Sequence, residues 1–180
     1  MTEKIIIAGF GGQGIILAGK ILAHAGMVEG KNVSHFPAYG AEMRGGTANC
    51  SVVVSDRPVA SPIITKPTSL IAMNRPSLEK YVDMVVPGGR VFVNESLIPI
   101  KVKRSDVEVR YIPANNLAEE AGSGKASNMA IMGAYIAATG VVNPDTFKKS
   151  IPEVVSARNV KLTEINLKAF DLGYGYGENE

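Results

Sequence analysis

The chain has 180 residues, 46% of them hydrophobic and 20% charged, with a formal net charge of +2. That length suits one domain of about 100–200 residues, and so small a charge gives no reason to expect a nucleic-acid or membrane-surface partner. One cysteine (Cys50) and two unpaired histidines (His24 and His35) leave no intrachain disulfide, no cluster-ligating thiolate set and no zinc motif.

Met1–Lys4 leads directly into Ile5–Ala8. This β-branched run is too short for a signal-peptide core and reads as the first buried strand of a parallel sheet. No stretch reaches the roughly 20 apolar residues of a membrane span, so a cytoplasmic location is expected. Gly9–Gly14 forms a tight turn. Ile15, Leu17, Ala18, Ile21, Leu22 and Ala25 then fall on one face of a helix running from Ile15 to Val28, with Gly30 as its stop. Asn32–Phe36 is a candidate second strand, and Pro37–Gly46 a loop punctuated by glycines.

Thr47–Ser55 and Ser69–Met73 read as strands, followed by a helix with Pro76 in its first turn that runs to about Val85. Two further strands are expected at Arg90–Asn94 and Val107–Ile112. Helices follow at Asn116–Ala121 and from Asn128, the latter with Met129, Met132, Tyr135 and Ile136 on its apolar face. Another follows Asn143 as cap with Pro144 at its first position, and one more spans Leu162–Leu172. Alternating strands and helices imply a single Rossmann-like α/β domain over residues 1–172. Its sheet is mostly parallel, with helices on both faces, and residues 173–180 form a flexible tail.

Two loops carry the chemical information. Gly9, Gly11 and Gly14 match GxGxxG between a strand and a helix. Glycine there permits unusual backbone angles and lets a ligand approach the main chain, while the helix start offers free N–H groups to an anion. The dinucleotide fingerprint also requires an acid about 20 residues on, where this chain reads Val33-Ser34-His35-Phe36-Pro37. That absence disfavours NAD. The alternative is that the glycines merely permit a tight turn. The second loop, Pro37-Ala38-Tyr39-Gly40-Ala41-Glu42-Met43-Arg44-Gly45-Gly46, is ill suited to a core and is expected at the same carboxyl edge of the sheet. Arg44 offers a fork of donors to a phosphate or carboxylate; the alternative is a surface ion pair with Glu42, worth about 0–1 kcal/mol.

Together these loops resemble the gamma component of 2-oxoacid:ferredoxin oxidoreductases. Gly9-Phe10-Gly11-Gly12-Gln13-Gly14-Ile15 is similar to the family's GxGGQG opening, and the second loop to its Glu-x-Arg-Gly-Gly ending. Ser55-Asp56, Ser61-Pro62 and Gly124-Lys125-Ala126-Ser127-Asn128-Met129 add to the likeness, which runs from Ile5 to about Val142. The Tyr-Gly-x-Glu-Met-Arg-Gly-Gly form is most similar to the 2-oxoglutarate enzymes, with pyruvate, branched-chain oxoacid and indolepyruvate versions close behind.

The resemblance implies a complex in which alpha and beta subunits hold thiamine diphosphate and magnesium. Iron–sulfur clusters sit in the beta subunit or in a ferredoxin-like delta subunit and pass electrons to ferredoxin. The gamma domain packs against these chains and is associated with coenzyme A (CoA). Residues carried over as CoA-facing are Gly9, Gly11, Gly12, Gln13, Gly14, Arg44, Gly45 and Asn128, with Asn128 and Ser127 also capping the helix that begins there. No residue of this chain is expected to be catalytic. Cys50 reads as a buried inert thiol, and both histidines as structural, though His35 can face the site. Two rivals stay open: a self-sufficient enzyme with a nucleotide cofactor, and a scaffold with no ligand of its own.

Overall fold

A computed structural model describes residues 1–39, 46–155 and 160–179. Six strands run β1 (Thr2–Phe10), β2 (Asn32–Tyr39), β3 (Thr47–Ser55), β4 (Ser69–Ala72), β5 (Arg90–Asn94) and β6 (Glu108–Ile112). Six helices run α1 (Ile15–Val28), α2 (Arg75–Tyr81), α3 (Ala114–Ala121), α4 (Ser127–Thr139), α5 (Pro144–Val154) and α6 (Val160–Glu178). No helix of the described residues is long and apolar enough to cross a membrane.

The sheet order is β2-β3-β1-β4-β5-β6. β1, β4, β5 and β6 are parallel neighbours, while β3 lies antiparallel to both β1 and β2. The sheet is therefore mostly parallel, as expected, with one reversed strand inserted between the first two. Alternation along each strand divides the core. Ile5, Ile7, Cys50, Val52, Ile71 and Phe92 face α1 and α3–α6. Ile6, Ala8, Val53, Leu70, Val91 and Val93 face α2 and the irregular segments around Ile64 and Ile98. Both faces are covered, but the helices are divided unevenly between them.

Local signals set most element ends. Asn143 Oδ1 accepts the Asp145 N–H at 2.9 Å, capping α5, and Gly30 takes φ 73° just beyond α1. One expectation fails. The tail assigned to residues 173–180 is helical through Glu178, because its glycines serve close packing. Added Cβ atoms at Gly173 and Gly177 would meet the α4 backbone at Ala130 and Ala134, and one at Gly133 would meet the α6 backbone at Phe170. Small residues thus let α4 and α6 approach closely. Phe170 stacks on Phe147 at 5.0 Å, and Arg110 Nη1 donates to the Gly177 carbonyl at 3.0 Å.

The amino edge of the sheet is ionic. Buried Glu3 accepts from Thr68 Oγ1 at 2.7 Å and Ser69 Oγ at 3.0 Å, with Arg90 3.7 Å away. Glu108 bridges Arg90 and Arg110 at 3.2 and 2.7 Å. Lys31 pairs with Glu29 at 3.0 Å, whose other oxygen accepts the Asn143 N–H at 2.6 Å.

Candidate functional site

The first strand ends in a four-residue turn, Phe10 to Gln13, closed by the Gln13 N–H donating to the Phe10 carbonyl at 3.2 Å. Gly12 sits at its third position with φ 97°, the positive φ that a type II turn demands there. A Cβ at Gly12 would meet nothing within 4 Å, so the position is strained for other residues yet open to an approaching ligand. Gly14 then caps α1 in the left-handed conformation (φ 71°), with no side chain capping that helix end. The first N–H groups of α1 and the positive end of its dipole therefore face outward at the turn.

Tyr39 and Gly46, the described residues that flank the rest of the second loop, reach the same rim because β2 and β3 pair antiparallel. Ala48 of β3 pairs with Gly9 on one side and Tyr39 on the other. The Gly11 N–H donates to the Gly46 carbonyl at 2.9 Å, tying the first turn to the end of the second loop. Tyr39, 66% exposed, lines a cavity of about 270 Å³ with Phe10, Gly11, Gly12, Gly14, Ile15, Ile16, Leu17 and Ala48. None of these lining residues is charged. Sequence reasoning missed Tyr39 as a lining residue; its place at the end of a strand entering the loop was the available signal. Residues 40–45, including Arg44 and Gly45, lie outside the described residues.

Two nominated side chains turn inward. Gln13 Oε1 accepts the Phe10 N–H at 2.6 Å, and its Nε2 donates to the Met73 carbonyl at 3.1 Å. Gly9, within β1, lies under this amide: a Cβ there would come within 2.5 Å of Gln13 Oε1. Asn128, 4% exposed, donates from Nδ2 to the Gly14 carbonyl at 3.1 Å and accepts the Met129 N–H at 3.0 Å. Asn128 is not the helix cap expected of it. α4 already includes Ser127 and Asn128, and Ala126 is its cap, with no side-chain bond.

The other titratable candidates sit away from the cavity lining. Burial pushes the Cys50 thiol up to about 12, the Gly19 backbone opposing, and Cys50 Sγ contacts the Ile15 carbonyl at 3.5 Å. Burial lowers the His35 pKa, opposed by the Ile16 backbone, so the ring is neutral at pH 7 beside Gly19. His24 bonds Ser150 at 3.1 Å, joining α1 to α5. A second cavity of about 290 Å³ lies under the Arg57–Ile64 segment. Lys4 and Arg57 line it, the Thr2 and Ser55 hydroxyls bond each other at 2.7 Å, and Ser61 Oγ accepts the Ile63 N–H at 3.1 Å.

The glycine turn, the start of α1 and the end of the hairpin thus meet at one rim. Residues 4–176 match the model of the pyruvate ferredoxin/flavodoxin oxidoreductase family. The chain belongs to this family. Among its relatives, the 2-oxoglutarate synthase subunit KorC of Methanocaldococcus jannaschii is 36% identical, over 97% of this chain and 93% of that one. The ketoisovalerate oxidoreductase subunit VorA of Methanothermobacter marburgensis is 38% identical over 94% of this chain. This chain spans about a third of that VorA, 35% of its length.

Among solved oxidoreductases, the gamma subunit of the keto/oxoacid ferredoxin oxidoreductase of Geobacter sulfurreducens matches with a TM-score of 0.84 and 29% identity, covering 99% of both chains. The 2-oxoglutarate:ferredoxin oxidoreductase of Magnetococcus marinus, solved with 2-oxoglutarate, coenzyme A and succinyl-CoA bound, matches with a TM-score of 0.90 and 25% identity. That match covers 99% of this chain and 31% of that one. The α/β fold is thus that of the family's gamma subunits.

Proposed function

We propose that this chain is the gamma subunit of a 2-oxoglutarate:ferredoxin oxidoreductase and supplies part of the coenzyme A site. The observation that carries the reading is the rim itself. The Gly12 position is open, the α1 start carries no side-chain cap, and the Gly11–Gly46 bond holds Gly46 beside the turn. Oriented N–H groups at a helix start suit a diphosphate. The described cavity lining adds no charge, so Arg44 and Gly45 on the adjoining loop complete the site in this reading. When bound, CoA supplies the thiol that accepts the acyl group.

A cavity of about 270 Å³ is below the range of about 300–1,000 Å³ that takes a drug-sized ligand. CoA is larger still, so most of it rests on other chains. Alpha and beta subunits carrying thiamine diphosphate, magnesium and iron–sulfur clusters, with a ferredoxin-like delta subunit where present, are the partners this reading assigns. The end-to-end likeness to KorC supports 2-oxoglutarate as substrate. The likeness to VorA supports a second reading, a branched-chain 2-oxoacid.

The test is a reconstituted complex assayed for CoA-dependent ferredoxin reduction with 2-oxoglutarate, pyruvate and ketoisovalerate. The highest kcat/KM is expected with 2-oxoglutarate, no turnover from the isolated chain, and a raised KM for CoA with Arg44→Ala. Turnover by the isolated chain, or an Arg44→Ala complex with unaltered KM for CoA and unaltered assembly, overturns the reading.

A further inference from the structure

The geometry points to Gln13 and Asn128 as positioning residues that lock the glycine turn from two sides and make no contact with the ligand. This rests on the CoA-site reading above and changes the part these two residues play in it. Neither side chain lines the cavity at the turn, and each has its oxygen and its nitrogen engaged within the fold. Gln13 spends its carbonyl on the Phe10 N–H at 2.6 Å and its amide N–H on the Met73 carbonyl at 3.1 Å. Asn128 spends its own on the Gly14 carbonyl at 3.1 Å and the Met129 N–H at 3.0 Å, and it is 4% exposed.

The two amides grip the ends of one segment. Gln13 ties the start of the turn at Phe10 to the end of β4, 60 residues away in the chain. Asn128 ties its last residue, Gly14, to the first turn of α4, 114 residues away. Between the two grips lies Gly12, the position left open. The glycines fit the clamps closely: a Cβ at Gly9 would meet Gln13 Oε1, and one at Gly14 would meet Asn128 Nδ2.

Gln13 has a second consequence. The chain leaves β1 toward β2 and β3 but continues from β4 toward β5 and β6, which makes the β1/β4 boundary the switch point where open sheets usually admit ligands. Gln13 bridges that boundary. The open cavity lies instead on the hairpin side, against Tyr39 and Ala48. The ligand therefore approaches from the hairpin, along amides whose directions the two clamps fix.

Residues that hold one segment jointly act non-additively, whereas separate ligand contacts add. The complex is prepared with Gln13→Ala, Asn128→Asp and both together, and KM for CoA and kcat are measured at saturating 2-oxoacid. Each single variant is expected to raise the KM for CoA about tenfold, with kcat at saturating CoA moving much less. The double variant is expected near about 10–20-fold rather than about 100-fold. If Asn128→Asp prevents assembly, Asn128→Ala takes its place, since it too removes the bond to the Gly14 carbonyl and adds no charge. Single effects below about twofold, or a double variant that multiplies them, overturn the positioning role. A wild-type complex with no CoA dependence overturns the underlying reading instead.

Discussion

The two rims of the sheet are built from different chemistry. At the amino rim, Glu3, Glu29, Glu108, Lys31, Arg90 and Arg110 pair with each other and with hydroxyl or backbone groups. At the carboxyl rim around the glycine turn, the fixed contacts are neutral amides: Gln13 to Met73, Asn128 to Gly14, and Asn94 Nδ2 to Asn115 Oδ1 at 2.8 Å. Charged pairs are strong but must be solvated or matched. Neutral amides fix a backbone without adding a net charge, which leaves the helix start free to attract an anion. The difference teaches that, among the described residues, the amino rim is held by charged pairs while the side-chain contacts that fix the glycine turn are neutral.

The largest test of this division is Glu3→Ala. It removes the charged acceptor of the Thr68 and Ser69 hydroxyls, each such bond being worth about 1.5–3 kcal/mol; Thr68 keeps its bonds with the Lys4 backbone, so the net cost should be about 2–4 kcal/mol. Thermal melting is expected to fall by roughly 5–15 °C, while the KM for CoA of the assembled complex stays put. A shift in that KM would break the division. Next is Gly12→Ala at the other rim. A non-glycine residue at φ 97° costs about 1–3 kcal/mol, so melting should drop less than for Glu3→Ala, while the KM for CoA rises.

A smaller effect is titration at the amino rim. The Arg110 hydrogen bond holds Glu108 below the ordinary glutamate value of 4.5, partial burial opposing. Because the folded pKa is depressed, this stabilisation is complete above the unfolded value and is lost as pH falls through the folded one. Melting of the wild-type chain should decline between about pH 5 and pH 3, and Glu108→Gln should flatten that slope. Smallest is Arg75→Ala, which removes an exposed pair with Glu79 at 2.8 Å. It should cost less than about 0.5 kcal/mol by melting.

What the sequence revealed follows the range of the interaction. The turn at Gly9–Gly14, the α1 boundaries and the Asn143 cap were legible because each depends on residues a few positions apart. The inserted strand was not, since alternation in Thr47–Ser55 gives its faces but not its neighbours. The partners of Gln13 and Asn128 were hidden for the same reason. The family resemblance implied that both amides faced the ligand, and the sequence did not reveal hydrogen bonds that reach residues 60 and 114 positions away. The tail misled because tyrosine and glycine in alternation look loose, yet here the glycines admit a neighbouring helix backbone.

The hydrogen bond from Gly11 to Gly46 makes one amide proton a reporter on both loops. Its exchange with solvent requires the turn and the hairpin to part, so a label at Gly11 reads the separation of the loops directly, without any assay of turnover. Slowing of that exchange when CoA is added to the assembled complex would register occupancy of the rim at a single backbone atom.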